Sequence, residues 1–273
     1  MPGKQETSLS ICPLASGSKG NSYWIEGGGT TILLDAGLTM KQLSLRVEEI
    51  GRKIEEVEHI FITHEHSDHV YALTVMLKKH KPVIWASRGT LRSIRRRIPD
   101  GAHVRMMNGA EEIAGAFRVR SVKIQHDAVD PLAYRFDLEG ASAAVVTDLG
   151  TWDQSVVETI AGVDVLVCEA NHDPHMLMHG PYPAVIKRRI ASHLGHLSNE
   201  EGAGLALKCV ERGTRSVLLG HISEANNSPS LALDVFGEAL SHAGVDAKID
   251  VASQDHPGPF VTVVANGKAT KKA

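Results

Sequence analysis

The run His64-Glu65-His66-Ser67-Asp68-His69 constrains this chain more than any other feature. It puts three imidazoles and two carboxylates into six positions. A regular helix or strand would spread those side chains over different faces. A loop leaving a strand can turn alternate side chains toward one point. The preceding segment, Glu58–Thr63, reads as a short buried strand. Such a fold therefore has to deliver a polar, ligating loop at a strand end. Neutral imidazole and carboxylate together suit zinc and neighbouring divalent metals.

The rest of the chain alternates short β-rich runs with longer amphipathic ones. Strands are expected at Ser10–Ala15, Tyr23–Glu26, Thr30–Leu34, Val83–Ala86, Phe117–Ile124, Leu132–Leu138, Ser142–Thr147, Val163–Cys168, Ser216–Leu219 and Lys248–Ala252. Gly27-Gly28-Gly29 between the second and third reads as a hairpin turn. Helical spacing covers Leu38–Gly51, His69–His80, Thr90–Arg97, Trp152–Ile160, Ser198–Glu211 and Ser228–Ala243. Ser198 with Glu201 three residues later is a capping box. Met1–Thr7 and Asn266–Ala273 read as frayed ends. No long linker and no fixed-period repeat interrupts the alternation, which favours one layered α/β domain over residues 1–273, with its core about 8–265.

Composition removes several classes. Hydrophobic residues make up 42%, too many for a disordered chain. No apolar run is long enough to span a membrane, and the first residues lack the apolar stretch of a secretory signal. Cys12, Cys168 and Cys209 are odd in number and far apart, so they form neither a disulfide framework nor a Cys-x-x-Cys zinc site. A reducing cytoplasm fits them. Twenty-nine Lys and Arg against 32 Asp and Glu leave a net charge of −3, so only local patches can argue for a polyanionic partner.

The six-residue run resembles the H-x-H-x-D-H signature of the metallo-β-lactamase fold. The resemblance extends down the chain, because that fold carries a third His, a bridging Asp and a last His, each after a strand. His126, Asp148 and His221 stand in that order behind expected strands. The resemblance implies a four-layer αββα sandwich with its site in a cleft built from strand-end loops. It also implies a ligand set for two divalent cations, zinc or manganese, with iron a further option. His64, His66 and His126 would hold one, Asp68, His69 and His221 the other, and Asp148 would bridge them together with a water or hydroxide. Asp35, behind the Thr30–Leu34 strand, would orient a ligand His. Glu65 is not expected to be a ligand.

Gly195-His196-Leu197-Ser198 is similar to an element of the nuclease branch of this fold, which includes the tRNA 3′-processing endonucleases. In that branch the His acts on the scissile phosphate or the leaving oxygen, and a Glu at a strand end pairs with it. Glu169 in Cys168-Glu169-Ala170-Asn171-His172 takes that place. The implied catalytic residues are Asp68, His196 and Glu169. The stretches Leu14–Ser22, Glu169–Asp173, Gly180–Pro183, Gly195–Glu200 and His221–Asn227 together resemble the YycJ/WalJ/VicX subfamily. That implies a cytoplasmic, metal-dependent exonuclease digesting DNA from 5′ ends. A small-molecule or cyclic-nucleotide phosphodiesterase, and a non-catalytic regulator, are the rival readings.

Charge patterning bears on the substrate. Lys78, Lys79, Lys81, Arg88, Arg92, Arg95, Arg96 and Arg97 place eight cations in twenty positions, with no acid between Asp68 and Asp100. Lys187, Arg188 and Arg189 form a second acid-free run. Either run can be a solvated helical face or a track for phosphates. The expected substrate contacts are Arg95, Arg96 and Arg97, Tyr182 between two prolines, and Ser18 and Asn21 on a Gly-flanked turn. That turn reads equally as a phosphate cradle or as a simple chain reversal.

Overall fold

The computed structural model describes residues 8–271, apart from 110, 266 and 267. Its strands are β1 (Ser8–Ala15), β2 (Ser22–Gly27), β3 (Thr30–Leu34), β4 (His59–Phe61), β5 (Val83–Ser87), β6 (Val104–Met107), β7 (Glu112–Ala114), β8 (Phe117–Lys123), β9 (Leu132–Leu138), β10 (Ala141–Val146), β11 (Val165–Glu169), β12 (Ser216–Gly220), β13 (Lys248–Val251), β14 (Val261–Val264) and β15 (Lys268–Lys271). Among the described residues they form an eight-stranded sheet, β15-β14-β1-β2-β3-β4-β5-β6, and a seven-stranded sheet, β13-β12-β11-β10-β9-β8-β7. The helices are α1 (Met40–Glu49), α2 (Ser67–Val70), α3 (Leu73–Lys79), α4 (Arg88–Ser93), α5 (Gln154–Ile160), α6 (Pro174–His179), α7 (Ala184–Ile190), α8 (Asn199–Val210) and α9 (Pro229–His242).

Period-two alternation sorts the strand side chains into layers. On β11, Val165 and Val167 enter the layer between the sheets, while Leu166 and Cys168 face outward. The inter-sheet layer is closed by aromatic rings. Phe61 stacks on Trp85 within one sheet at 5.4 Å and meets Tyr134 and Phe136 of the other edge-on at 5.4 and 5.6 Å. Leu43 and Val47 of α1 and Met76 and Leu77 of α3 cover the outer face of the first sheet. Val156 and Ile160 of α5, Leu205 of α8 and Phe236 of α9 cover that of the second. The result is the αββα order that the sequence implies.

The central strands of both halves run parallel: β3 through β6 in one sheet, β10 through β13 in the other. Parallel neighbours place their C-terminal ends at one edge, where α/β proteins build their sites. The hairpin between β2 and β3 turns on Gly28 and Gly29 alone, at φ +58° and +78°. Both positions are left-handed, which glycine adopts without steric penalty. The capping box of Ser198 and Glu201 opens α8 as expected.

Some expected elements differ. The helix expected over His69–His80 is two pieces, because Tyr71 and Ala72 are diverted between them: Ala36 N–H bonds the His69 carbonyl and Ala72 N–H bonds that of Ala36, both at 2.8 Å. The helix expected over Thr90–Arg97 divides into α4 and a 3-10 turn at Arg95–Arg97. β6, β7, α6, α7, β14 and β15 carry too little buried apolar periodicity, or lie too near the C-terminus, to be read from sequence. β15 occupies part of the expected C-terminal frayed end. Met1–Thr7 lies outside the described residues.

One cross-sheet bond fixes the entry to the His64 loop. Tyr134 Oη, fully buried on β9, donates to the Ile62 carbonyl at 2.9 Å. Replacing Tyr134 by Phe leaves that carbonyl without its partner. Stability should fall by about 1–3 kcal/mol, read from the denaturant midpoint. An unchanged midpoint would show that the bond does not support the loop.

Candidate metal and catalytic site

Every residue of the site but His196 lies at or behind the C-terminal end of a strand. Asp35 follows β3, His64–His69 follow β4, His126 follows β8, Asp148 follows β10, Glu169 ends β11, and His221 follows β12. His196 lies just before α8. Among the described residues, four non-glycines have positive φ, and three are here: Asp35 at 60°, Asp148 at 60° and His221 at 55°. A left-handed residue costs about 1–2 kcal/mol. Placing one directly after a strand turns the chain sharply and aims its side chain along the sheet edge.

The geometry forms three overlapping donor groups, each with one atom per residue and all atoms within 4.8 Å of one another. The first is His64, His66 and His126, with His64 Nε2 and His66 Nδ1 at 3.0 Å. His126 Nδ1 donates to the Gly195 carbonyl at 3.1 Å, which leaves Nε2 for the cluster. The second is His64, His69 and Asp148. The third is Asp148, Glu169, His196 and His221. Asp68 joins none of them but lies with Oδ2 3.5 Å from His69 Nε2.

Neighbours fix the ring orientations. His69 Nδ1 donates to Asp35 Oδ2 at 2.8 Å, and Asp35 accepts Thr63 N–H and Thr63 Oγ1 at 2.9 Å each. A carboxylate on the far ring nitrogen sets tautomer and direction in this way at metal-binding histidines. Glu169 Oε1 accepts from His196 Nδ1 at 2.8 Å and from His221 Nδ1 at 3.0 Å. Gly195 lets His196 reach that position. A Cβ there would fall 2.1 and 2.2 Å from the carbonyls of Ile190 and Arg189.

Charge and burial favour cations. Burial alone would lower the His221 imidazole, but Asp148 and Glu169 outweigh it and push it up to about 10. His69 is likewise held well above its usual value, with Asp35 and Asp148 overcoming burial. Burial alone would raise the Glu169 carboxyl, but His196 and His221 hold it down at about 2. Asp148 Oδ2 is buried with no hydrogen-bond partner among the described residues. An orphaned carboxylate oxygen amid ring nitrogens is a set of donors that fits divalent metal ions. Among the described donors of the cluster, His66, Asp68 and His196 meet solvent, with side chains 31%, 24% and 19% exposed.

The expected substrate contacts take different places in the structure. Asn21 is fully buried, and its side chain bonds Gly17, reaches Asp68 Oδ2 at 3.4 Å and meets His69 Nε2 at 3.0 Å. It braces the cluster from inside. Ser16 does the same for the opposite loop, its Oγ accepting His221 N–H at 2.8 Å. The Gly-flanked turn carries these structural bonds, and Ser18 is its exposed tip. Arg95–Arg97 sit on the return path from the C-terminal end of β5 to the N-terminal end of β6, with Arg95 bound to the Ile98 carbonyl and Asp100. Tyr182 is exposed between α6 and α7. Sequence reasoning missed Asp127, whose Oδ1 lies 3.3 Å from His126 Nε2. Its place directly after His126 was the available signal. It also missed the contact of Glu169 with His221.

Two facing sheets that gather a His and Asp cluster at their strand ends define a metal-dependent hydrolase. Residues 30–222 match the model of the beta-lactamase superfamily domain, and the chain belongs to that family. It is 35% identical over 260 residues to the exodeoxyribonuclease WalJ of Streptococcus pneumoniae, covering 92% of this chain and 96% of that one. It is 33% identical over 239 residues to the exodeoxyribonuclease YycJ of Bacillus anthracis, covering 86% and 90%. Among solved structures, the metallo-beta-lactamase fold protein YhfI from Bacillus subtilis aligns with a TM-score of 0.70 at 15% identity over 93% of this chain and 99% of that one. This likeness shows the fold.

Asp35 offers a direct test of the site. In Asp35→Asn the Thr63 bonds can persist while the carboxylate on His69 is lost. Metal affinity, measured by competition with a chelator, should fall about 10–100-fold. An unchanged affinity would remove His69 from the metal site.

Proposed function

We propose that this chain is a cytoplasmic DNA exonuclease that digests from 5′ ends with two divalent cations, zinc or manganese, with iron a further option. The observation that carries the reading is the Glu169–His196 pair at 2.8 Å, set beside the donor groups. Two relatives named as exodeoxyribonucleases, at 33% and 35% identity over most of the chain, support it. We further propose that the whole chain works as one domain.

His64, His66 and His126 would hold one cation and Asp68, His69 and His221 the other, with Asp148 shared. When bound, such cations polarise a phosphoryl oxygen and lower the pKa of a bound water to about 7. The remaining steps belong to side chains. Glu169 is fully buried and accepts Leu149 N–H at 3.0 Å and Leu197 N–H at 3.3 Å on Oε2, so it cannot swing away. Held at about 2, it stays ionised at neutral pH and sets a fixed negative charge against His196 Nδ1. His196 Nδ1 is held by Glu169, so Nε2 is the nitrogen left to hold a phosphate oxygen or to protonate the leaving oxygen. His196 is also one of the three described donors of the cluster that meet solvent. A β-lactam or thioester hydrolase of this fold leaves the Glu169–His196 pair without a task.

Digestion of duplex DNA labelled at either end, under zinc and under manganese, tests the reading. The 5′ label should leave first as a mononucleotide, while the 3′ label passes through successively shorter strands. His196→Ala should keep its metals while turnover falls about 10²–10⁴-fold. Loss of a metal in that variant would make His196 a ligand. Hydrolysis of a small chromogenic diester without any digestion of DNA would favour the small-substrate rival.

A further inference from the structure

Between Glu169 and His196 the chain leaves the sandwich as α6 and α7 and then returns. No residue of α7 is buried. Its surface is nevertheless apolar as well as basic, with Val185 66% exposed and Ile186 and Tyr182 each 37% exposed. Val185, Ile186 and Arg189 fall at i, i+1 and i+4 as a stripe on one side of α7, and Tyr182 lies on the bend just before the helix, ahead of its N-cap Pro183. In a globular protein such a stripe normally covers a core, whereas here no described residue buries it. Arg189 sets its direction, because its guanidinium pairs with the carboxylate of Asp127, directly after His126. Asp127 N–H also bonds the Leu194 carbonyl at 3.0 Å. The stripe thus borders the side of the cluster where His66 and His196 are open. No Asp or Glu lies between Asp173 and Glu200.

We propose that this stripe seats the unpaired end of a nucleic-acid strand, its bases against Tyr182, Val185 and Ile186 and its phosphates against Lys187 and Arg188. The identity of the strand rests on the nuclease reading. Aromatic and apolar surfaces take the faces of any base, and flanking cations take the backbone. Charge decides against a second copy of the chain as the occupant. A second copy would bring another segment with three cations and no acid to this face, so nothing in it offsets the charge already there.

The test is binding of a fluorescent phosphorothioate oligonucleotide of about 20 thymidines, which resists digestion, to the metal-loaded protein. Fluorescence anisotropy gives Kd across a salt series. Lys187→Gln with Arg188→Gln should raise Kd about ten-fold and flatten the log–log salt slope by about 1.4, or 0.7 for each lost phosphate contact. Tyr182→Ser with Val185→Ser should raise Kd about five-fold and leave the slope alone. Removing the same charge at Arg96 and Arg97, which form no part of this surface, should change Kd less than about two-fold. Equal shifts from the Arg96/Arg97 and Lys187/Arg188 pairs would reduce the effect to net charge and overturn the proposal. An unaltered Kd in both stripe variants would also overturn it, as would a dimer that Tyr182→Ser with Val185→Ser makes monomeric at constant oligonucleotide affinity. If parent protein digests unmodified DNA while the stripe variants bind normally, only the stripe fails. If the stripe variants lose binding as expected but the parent releases no nucleotide from DNA, only the nuclease reading fails.

Discussion

A fully buried carboxylate holds this site together. Ionised groups leave water at a cost of several kcal/mol unless their oxygens are paired. Glu169 meets that demand with four partners from three other segments of the chain. Leu149 N–H comes from the turn after β10, His196 and Leu197 N–H from the approach to α8, and His221 from the turn after β12. Each bond draws one loop to the end of β11, so the carboxylate assembles the cleft as well as orienting His196. The same charge raises His221 and is itself held low by the two imidazoles. Removing either side leaves the other buried without compensation.

Burial then divides the cluster by task. His64, His69, His126, Asp148, Glu169 and His221 are all at most 5% exposed, each placed at or behind a strand end beside a polar partner. His66, Asp68 and His196 form the open side. A site arranged in this way fixes its donors on the rigid frame of two sheets and leaves this side open to substrate. The left-handed turns at Asp35, Asp148 and His221 store backbone strain where the packed sheets can sustain it.

The donor set was legible because its densest part is contiguous. Six neighbouring residues with that chemistry behind a strand leave few arrangements, and the later members each follow a buried strand. The pairing of His196 with Glu169 was reachable only through resemblance, since nothing local connects residues 27 positions apart. What stayed hidden depends on long-range packing. The sequence of the Ser16–Ser22 turn cannot show that Asn21 points inward at His69, and an acid-free run cannot show that Arg95–Arg97 form a 3-10 turn on the path from β5 to β6. The helix α7 escaped notice for a physical reason: with no face against a core, its apolar residues sit beside cations instead of alternating with a polar side. β6 and β7 are short edge strands with mostly exposed side chains, and period-two alternation is faint there.

The central claim is that the cluster holds two cations that share Asp148. Elemental analysis of protein purified without chelators, alongside Asp148→Ala, tests it most directly. The account predicts about two transition-metal ions per chain, as a shared two-cation site requires, and loss of metal from the variant. No more than one ion at full occupancy, unchanged by Asp148→Ala, would contradict it.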